Sequence, residues 1–459
     1  MYNNIKHLAR DYIMNRKKII YLIRDDLRIA DNPALLNAAR DGQVLIIFIH
    51  DQYKAKPRGE AFNWWTYQSL EKLDEEFRSK YNCQIHYYSG KSLLILKQLV
   101  IENQIDQIYL NQAFDSDSLK LEDELGSICQ KFPANLLRHP EEILNESGKF
   151  YKVFTAFWRK AVNISVRDVI ESPKNIDHIL PINQGLSLDQ IHLLPEHSWH
   201  QKLHHYWQPG ENEARKLLDD FINSNINDYR RNRDFPALQA TSKLSPYLAH
   251  GEISVVEIWH KINRLNLLDG NEGITCYLTE LGWREFSYSL LYHLPSMANE
   301  PIKAEFNKFA WEDNPQNLAK WQQGLTGYPI VDAGMRELWE TGWMHNRIRM
   351  IVGSFLTKDL LIKWQEGERW FWNCLVDADY ASNPASWQWV AGCGCDAAPF
   401  FRIFNPTTQG RRFDPQEQYT RKWIMELTST SAAGQNYPSP IIEHSLARKL
   451  ALIRYKEIG

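Results

Sequence analysis

Cysteine is scarce in this chain: Cys83, Cys129, Cys276, Cys374, Cys393 and Cys395 are the six among 459 residues. Only Cys393 and Cys395 are close together, and no second close pair completes a thiolate site. They read as reduced thiols, and neither a disulfide framework nor a structural zinc is expected. His200 and His204 have the i, i+4 spacing of metal ligands, but no Glu or Cys stands in a supporting position, so no metal is expected there either. No apolar run reaches the roughly 18 residues a membrane helix needs. Residues 1–17, polar and basic, lack the apolar stretch of a secretory signal and read as a short arm. A cytoplasmic protein without membrane contact is the expectation. Net charge is only −3 at pH 7, so a nucleic-acid face has to be a local basic patch and not a property of the whole surface. The dinucleotide fingerprint GxGxxG is also missing after the first apolar run, which leads into Arg24-Asp25-Asp26 instead.

What is present is length, tryptophan and a change of pattern partway along. A chain this long exceeds one compact core and implies two or three domains. With 44% hydrophobic and 24% charged residues the composition is that of an ordinary globular protein. Core packing and helix faces account for most of the seventeen tryptophans. In residues 18–139 the runs KIIYLI, VLIIFIH, QIHYYS, QIYLNQ and ANLLRH read as strands, with helical segments at 33–40, 60–81, 92–102 and 116–131 between them. That alternation predicts an α/β domain with a parallel, Rossmann-like sheet. Residues 140–209, punctuated by Pro173, Pro181, Gly185 and Pro195, read as an interdomain linker with one helical piece near 154–169. From residue 210 to 459 apolar residues recur at three- and four-residue spacing without strand candidates, which predicts a large all-α domain. One continuous helix is expected over 347–364, and a peripheral tail with a short basic helix at the end.

The chemistry-bearing residues lie in the helical half. Tyr229 to Arg233, YRRNR, is either a solvated helix end or a set of phosphate contacts. Residues 241–247, TSKLSPY, place three hydroxyls before a helix entry at Pro246, which suits a capping motif or a wrapped pyrophosphate. Glu280, Trp283, Arg284 and Ser287 share one helical face. An acid, an indole, a cation and a hydroxyl are not a core stripe, so the face lines a polar cavity or forms a salt-bridged surface. Asn346, Arg349 and Met350 repeat that theme with Arg347 offset, and Arg402, Gln409, Arg411 and Arg412 add local positive charge. Residues 377–405 are the densest stretch, holding Asp377, Asp379, a turn-forming Asn383-Pro384, Trp387 and Trp389. Acids and amides suit the polar edge of a heterocycle, and tryptophans suit stacking or electron transfer.

With those stretches in hand, the sequence resembles the photolyase/cryptochrome flavoproteins over nearly its whole length, and within them the bacterial enzymes that repair cyclobutane pyrimidine dimers. The motifs that carry the resemblance are RDDLRIADNPAL, TSKLSPYLAHGEIS, ELGWREF, TGYPIVDAGMRELWETGWMHNRIRMI, DADYASNPASWQW and DAAPFFRIFNPTTQG. The resemblance implies an N-terminal antenna domain and a helical domain that holds FAD. It implies light-driven electron transfer from excited reduced FAD to a dimer flipped out of UV-damaged DNA. Carried over residue by residue, Tyr229, Thr241, Ser242, Lys243, Leu244 and Ser245 match phosphate and ribityl contacts. Arg284, Asn346, Arg349, Asp377, Ala378, Asp379 and Asn383 match flavin-side positions, with Asn383 facing flavin N5. Glu280, Trp283, Asn346 and Met350 match the dimer pocket, while Arg233, Ser287, Arg347 and Gln409 match DNA contacts. Trp387, Trp364 and Trp311 match the electron-transfer chain, from the flavin outward. Glu280 is expected to be buried and to carry a proton that stabilises the dimer radical anion. Cryptochromes of the plant type typically carry Asp at the N5-facing position and lose the dimer-stacking Trp; here these are Asn383 and Trp283. The (6-4) photolyases typically carry two histidines where this chain has Asn346 and Met350. The antenna implied is methenyltetrahydrofolate, with a deazaflavin or none as alternatives, because Asp117-Ser118 stands where folate-binding relatives carry Asn-Glu. A monomer of the bacterial cytosol is implied as well.

Overall fold

The computed structural model describes residues 16–183, 185–427 and 437–458. All but two residues of the expected N-terminal arm, and the Ser/Thr-rich start of the tail, lie outside the described residues.

The N-terminal unit is a five-stranded sheet covered on both faces. In chain order it runs β1 (Lys17–Ile23), α1 (Pro33–Asp41), β2 (Gly42–His50), α2 (Glu60–Tyr81), β3 (His86–Ser89), α3 (Ser92–Asn103), β4 (Gln107–Asn111), α4 (Ser116–Leu125) and β5 (Cys129–Phe132). The strand order is β3-β2-β1-β4-β5, and every pairing is parallel. The expected α/β fold is therefore observed, and it follows from the sequence: β1 and β2 are continuous apolar runs, as strands buried on both faces must be. Alternate residues of β1 feed two separate cores, Ile19, Tyr21 and Ile23 one face and Ile20 and Leu22 the other.

Two expectations fail here. The run at 134–139 is not a strand, because the edge strand is Cys129–Phe132, paired with β4 from Ile108↔Cys129. Residues 134–139 are apolar because they are buried against the helical unit: Ala134 O and Asn135 O accept from Arg28 and Arg284, and Leu137 N–H donates to Glu285. The helix expected over 116–131 stops at Leu125, where Gly126 takes φ +56 and returns its N–H to Glu122 and Asp123. The connector at 140–209 is laid on the sheet, bridging Val44 to His178 and Tyr87 to Leu186. Its one α-helix, α5 (Phe154–Ala161), is shorter than the expected 154–169.

Beyond it come α6 (Glu211–Ser224), α7 (Tyr229–Asn232), α8 (Ser245–Ala249), α9 (Val255–Asp269), α10 (Glu272–His293), α11 (Pro315–Gln322), α12 (Pro329–Thr341), α13 (Asn346–Ser354), α14 (Trp364–Cys374), α15 (Ser382–Ala391), α16 (Pro406–Phe413), α17 (Gln418–Trp423) and α18 (His444–Lys456). The helix expected over 347–364 is interrupted. After α13 a wide turn at Phe355–Asp359 and a left-handed Leu361 (φ +54) separate it from α14. The interruption turns Lys358 and Asp359 inward, where Lys358 donates to Arg402 O at 3.1 Å and Asp359 pairs with His444 at 2.5 Å. That pair also corrects the peripheral tail: α18 is docked, with Ala447 and Ala451 buried and Tyr455 stacked on Phe400 at 4.5 Å.

Candidate functional site

Helices α8, α10, α13 and α15 bring the sequence-predicted residues to one region, with α13 and α10 both packed on α15. The hydroxyl loop comes first. Lys243 takes the left-handed conformation (φ 52), which turns the chain sharply just before α8. Ser242 Oγ accepts from the Tyr277 hydroxyl at 3.0 Å, and Ser245 Oγ accepts from the Trp343 indole N–H at 3.2 Å. A hydroxyl that already accepts has its own O–H left to donate, which is the polarity an anion requires. Leu244 is buried and fixes the loop to the core, and Tyr229 packs edge-on against Tyr277. A cavity of about 130 Å³ opens beside this loop, lined among others by Thr241, Lys243, Glu337, Trp343 and His345.

Opposite the loop stands a polar wall. Arg349 donates through one nitrogen to both oxygens of Asp377, at 2.8 and 3.1 Å, and through Nε to Met344 O at 2.7 Å. Asp379 accepts from the Tyr288 hydroxyl (2.5 Å) and from the backbone N–H groups of Ala381 and Ser382 (3.0 and 2.6 Å). It thereby caps the entry of α15. Asn383-Pro384, expected to form a turn, lies instead inside the first turn of α15, where Pro is tolerated because that turn's N–H groups have no helical partner. Ala378 O accepts from Arg58, so the wall is tied to the N-terminal unit. Arg284 donates to Asn135 O at 2.8 Å and lies over the Tyr288 ring. Burial and the Asp379 carboxylate push the Tyr288 phenol well above its usual range.

Behind the wall, Glu337 on α12 holds the start of α13. Its carboxylate accepts from Tyr419 (2.7 Å) and from His345 N–H (3.3 Å), and His345 Nδ1 in turn accepts from Arg347 N–H at 3.2 Å. Burial pushes Glu337 up to about 7 and His345 down to about 4.

The residues expected on the lesion side are mostly more open. Trp283 is stacked flat on Phe154 at 3.8 Å and edge-on to Phe286. Glu280 is not the isolated buried acid expected. Its side chain is 31% exposed and ion-paired with Arg233, which directly follows α7 and reaches across to α10. Arg347 pairs with Asp234 at 2.8 Å and leans on Met350 sulfur at 3.5 Å. Asn346, at the first position of α13, is exposed. Ser287 is buried and donates to the Trp283 carbonyl, so its hydroxyl is spent within its own helix. Gln409 sits on α16, half-buried.

Of the tryptophan chain, Trp364 and Trp387 are buried in one core cluster against which Trp311 packs. Trp387 presses on Gly367, where an added Cβ would come within 2.1 Å of the indole. Its ring neighbours are Phe371 (5.0 Å) and Trp321 (6.2 Å). Sequence reasoning missed Trp321, fully buried with its indole N–H on Val352 O. It also missed Glu368, which accepts from Asn383, and Lys56, which donates to Glu368. Asp117, the antenna-side marker, accepts from Lys56 N–H at 3.4 Å, and Ser118 is buried under the cap made by Asp115. Among the described residues no group of His, Cys, Asp and Glu could hold a metal ion, and no helix is long and apolar enough to cross a membrane.

The site fits a flavin nucleotide on its own chemistry. Hydroxyls and a lysine gather in the loop before α8, and a buried amide and an ionic wall stand at the entry of α15. Residues 277–457 match the FAD binding domain of DNA photolyase, and residues 19–174 match the DNA photolyase family. The chain is 39% identical to the deoxyribodipyrimidine photo-lyase of Agrobacterium fabrum, over 96% of this chain and 98% of that protein. It is 32% identical to cryptochrome-2 of Arabidopsis thaliana, over 95% of this chain and 78% of that one. The crystal structure of a bacterial class III photolyase from Agrobacterium tumefaciens superposes with a TM-score of 0.90 at 38% identity, covering 97% of this chain and 98% of the other.

Proposed function

The chain belongs to the DNA photolyase and cryptochrome family, and on that premise we propose that it is a deoxyribodipyrimidine photo-lyase that uses light to split cyclobutane pyrimidine dimers in UV-damaged DNA. The reading rests on Trp283 and Asn383, which lie on two helices packed against each other, α10 and α15. Trp283 offers an indole already held flat by Phe154, and Asn383 offers an uncharged amide at the position where plant-type cryptochromes carry an acid. Bound FAD supplies the excited electron that the splitting requires.

The protein's share is to bind, orient and exclude. Thr241, Ser242, Lys243 and Ser245 donate to the pyrophosphate, with Tyr229 and Leu244 closing that end. Arg284, Arg349, Asp377, Ala378, Asp379, Asn383 and Asn346 border the isoalloxazine and adenine. A dimer weakens its own stacking and pairing, so it leaves the duplex at lower cost than an intact base pair. Trp283 stacks on it, Glu280 and Asn346 bond thymine edges, and Met350 supplies an apolar contact. Arg233, Arg347 and Gln409 lie along the DNA side, Arg233 and Arg347 reaching phosphates once they leave Glu280 and Asp234; Ser287, buried and bonded within its own helix, is left out of that set. Trp387, Trp364 and Trp311 carry electrons inward when the flavin is recharged. The domains fall at 18–139 for the antenna, 140–209 for the linker and 210–459 for the helical unit. The antenna itself is methenyltetrahydrofolate, held by surfaces other than Asp117-Ser118, since Asp117 is taken by the Lys56 N–H and Ser118 is buried in the first turn of α4; a near-ultraviolet band that survives flavin bleaching in freshly purified protein checks this.

Light-dependent repair of DNA carrying either a defined cyclobutane dimer or a (6-4) product tests the activity. Repair of the first alone is the expected result. Binding of the dimer without repair would make the chain a receptor and end this reading.

A further inference from the structure

The Asn383 side chain does not stand alone. Its Nδ2 donates to Glu368 Oε1 at 2.8 Å and lies 3.3 Å from Glu368 O. The same Oε1 accepts from Lys56 Nζ at 2.6 Å. Glu368 is on α14, Asn383 on α15, and Lys56 comes from the loop before α2 in the N-terminal unit, more than 300 residues away in sequence. The carboxylate is only 8% exposed. The lysine is held on three sides: its ammonium lies 4.2 Å over the Trp372 ring, its N–H is on Asp117, and its carbonyl accepts from Tyr380.

An oxygen that accepts from two donors presents no proton to either. The group of Asn383 that faces Glu368 must therefore be its NH2, because the amide oxygen against a carboxylate would be repulsive. That choice fixes the other end. Among the described residues nothing donates to Asn383 Oδ1, and it is not sealed against protein either.

Resting on the flavin-side reading of Asn383, we propose that Lys56 and Glu368 are positioning residues that lock this amide with its carbonyl oxygen toward flavin N5. N5 carries a proton in reduced FAD and a lone pair in oxidised FAD. A fixed acceptor bonds the first and repels the second, so the lock favours the reduced cofactor, the form that photorepair requires. The N-terminal unit thus completes the redox site of the helical unit, and without residues 56–60 the wall behind N5 would lack its cation. Lys56 anchors the Glu368 carboxylate, Glu368 keeps the amide from flipping, and Asn383 presents the result.

The test is the equilibrium between oxidised and reduced flavin, measured by spectroelectrochemistry on purified holoprotein. Glu368→Met removes the acceptor and roughly keeps the length of the side chain, so the lock is lost. Lys56→Met removes the cation and keeps the stem. Both are expected to lower the reduced fraction at fixed potential about tenfold, the order of one hydrogen bond, or about 30 mV for a two-electron couple. Lys56→Arg should restore it. Asn383→Ala is measured alongside. If Asn383→Ala moves the couple and Lys56→Met and Glu368→Met do not, the relay is overturned while the flavin reading stands. If Asn383→Ala also leaves the couple unmoved, the flavin reading of Asn383 falls and the relay with it. Should Lys56→Met bind no flavin, Glu368→Met decides.

Discussion

The wall proposed to hold the flavin and the rim proposed to face DNA are built from the same residue types, used in opposite ways. On the wall the acids are buried and saturated. Asp377 keeps 3% of its side chain exposed under Arg349, and Asp379 satisfies three donors. On the rim the acids are a third open: Glu280 at 31% beneath Arg233, and Asp234 at 37% beneath Arg347. A buried, saturated pair has one arrangement, so it can hold a cofactor in one pose. A half-exposed pair costs little to open, so its arginine can change partners when a phosphate arrives. The wall is preorganised and the rim is exchangeable.

The largest effect should come from breaking the wall. Asp377→Ala leaves the Arg349 guanidinium without its carboxylate in a mostly buried site. Removing one partner of such a pair costs roughly 3–5 kcal/mol. Purified Asp377→Ala should carry almost no FAD, measured by the flavin released on denaturation, and should melt well below the parent. Retention of stoichiometric FAD would show that the wall is as exchangeable as the rim.

The next effect tests the support behind the wall through pH. Burial raises Glu337 to about 7 in the folded protein, above its ordinary carboxylate value of 4.5. Between those values the folded state binds more protons than the unfolded one, so this group's contribution is present at low pH and is lost as pH rises through about 7. His345, lowered to about 4 from 6.5, works the other way: its contribution grows as pH rises from about 4 to 6.5. The two oppose each other across most of that window, and Lys243, Lys422 and Tyr419 face the same carboxylate. Glu337→Gln removes the falling component. Its unfolding free energy, followed in urea from pH 5 to 8, should gain relative to the parent by on the order of 2–3 kcal/mol toward the alkaline end. A parallel pair of curves would refute the assignment.

Why the rim and the wall differ in legibility is also physical. The sheet could be read from β1 and β2 because strands buried on both faces must be continuous apolar runs. The face carrying Glu280, Trp283, Arg284 and Ser287 could be read because helical spacing is local. Its pairing state could not: Arg233 lies 47 residues from Glu280, and no periodicity links them. Residues 134–139 misled because burial against another unit and burial in a sheet leave the same apolar signature. Asn383-Pro384 misled for a different reason. Asn-Pro is a turn signal in isolation, but Asp379 just upstream, with Pro in the following first turn, is a helix-entry signal that could have been weighed against it. Trp321, Lys56 and Glu368 offered no signal at all, since each acquires its role only from contacts made at long range.

On the rim itself effects should be smaller and should depend on salt. Arg347→Ala deletes one of the proposed phosphate contacts. The slope of log K against log salt for DNA binding should become shallower by about 0.9, at any sequence and with or without a lesion. An unchanged slope would mean that Arg347 stays with Asp234 in the complex and that the rim does not exchange.

The smallest effect sharpens the contrast most. Asp234→Asn removes the charge that occupies Arg347 without touching the arginine. Because the pair is open to solvent, its loss should change the unfolding free energy by less than about 1 kcal/mol, against several for Asp377→Ala. The freed guanidinium should nonetheless bind undamaged duplex more tightly, measured by fluorescence anisotropy at low salt, because it no longer gives up an ion pair to reach a phosphate. Tighter binding with unchanged stability is what an exchangeable pair requires. A stability loss as large as that of the wall variant would mean that Asp234 and Arg347 are part of the frame, and that the two regions are built alike.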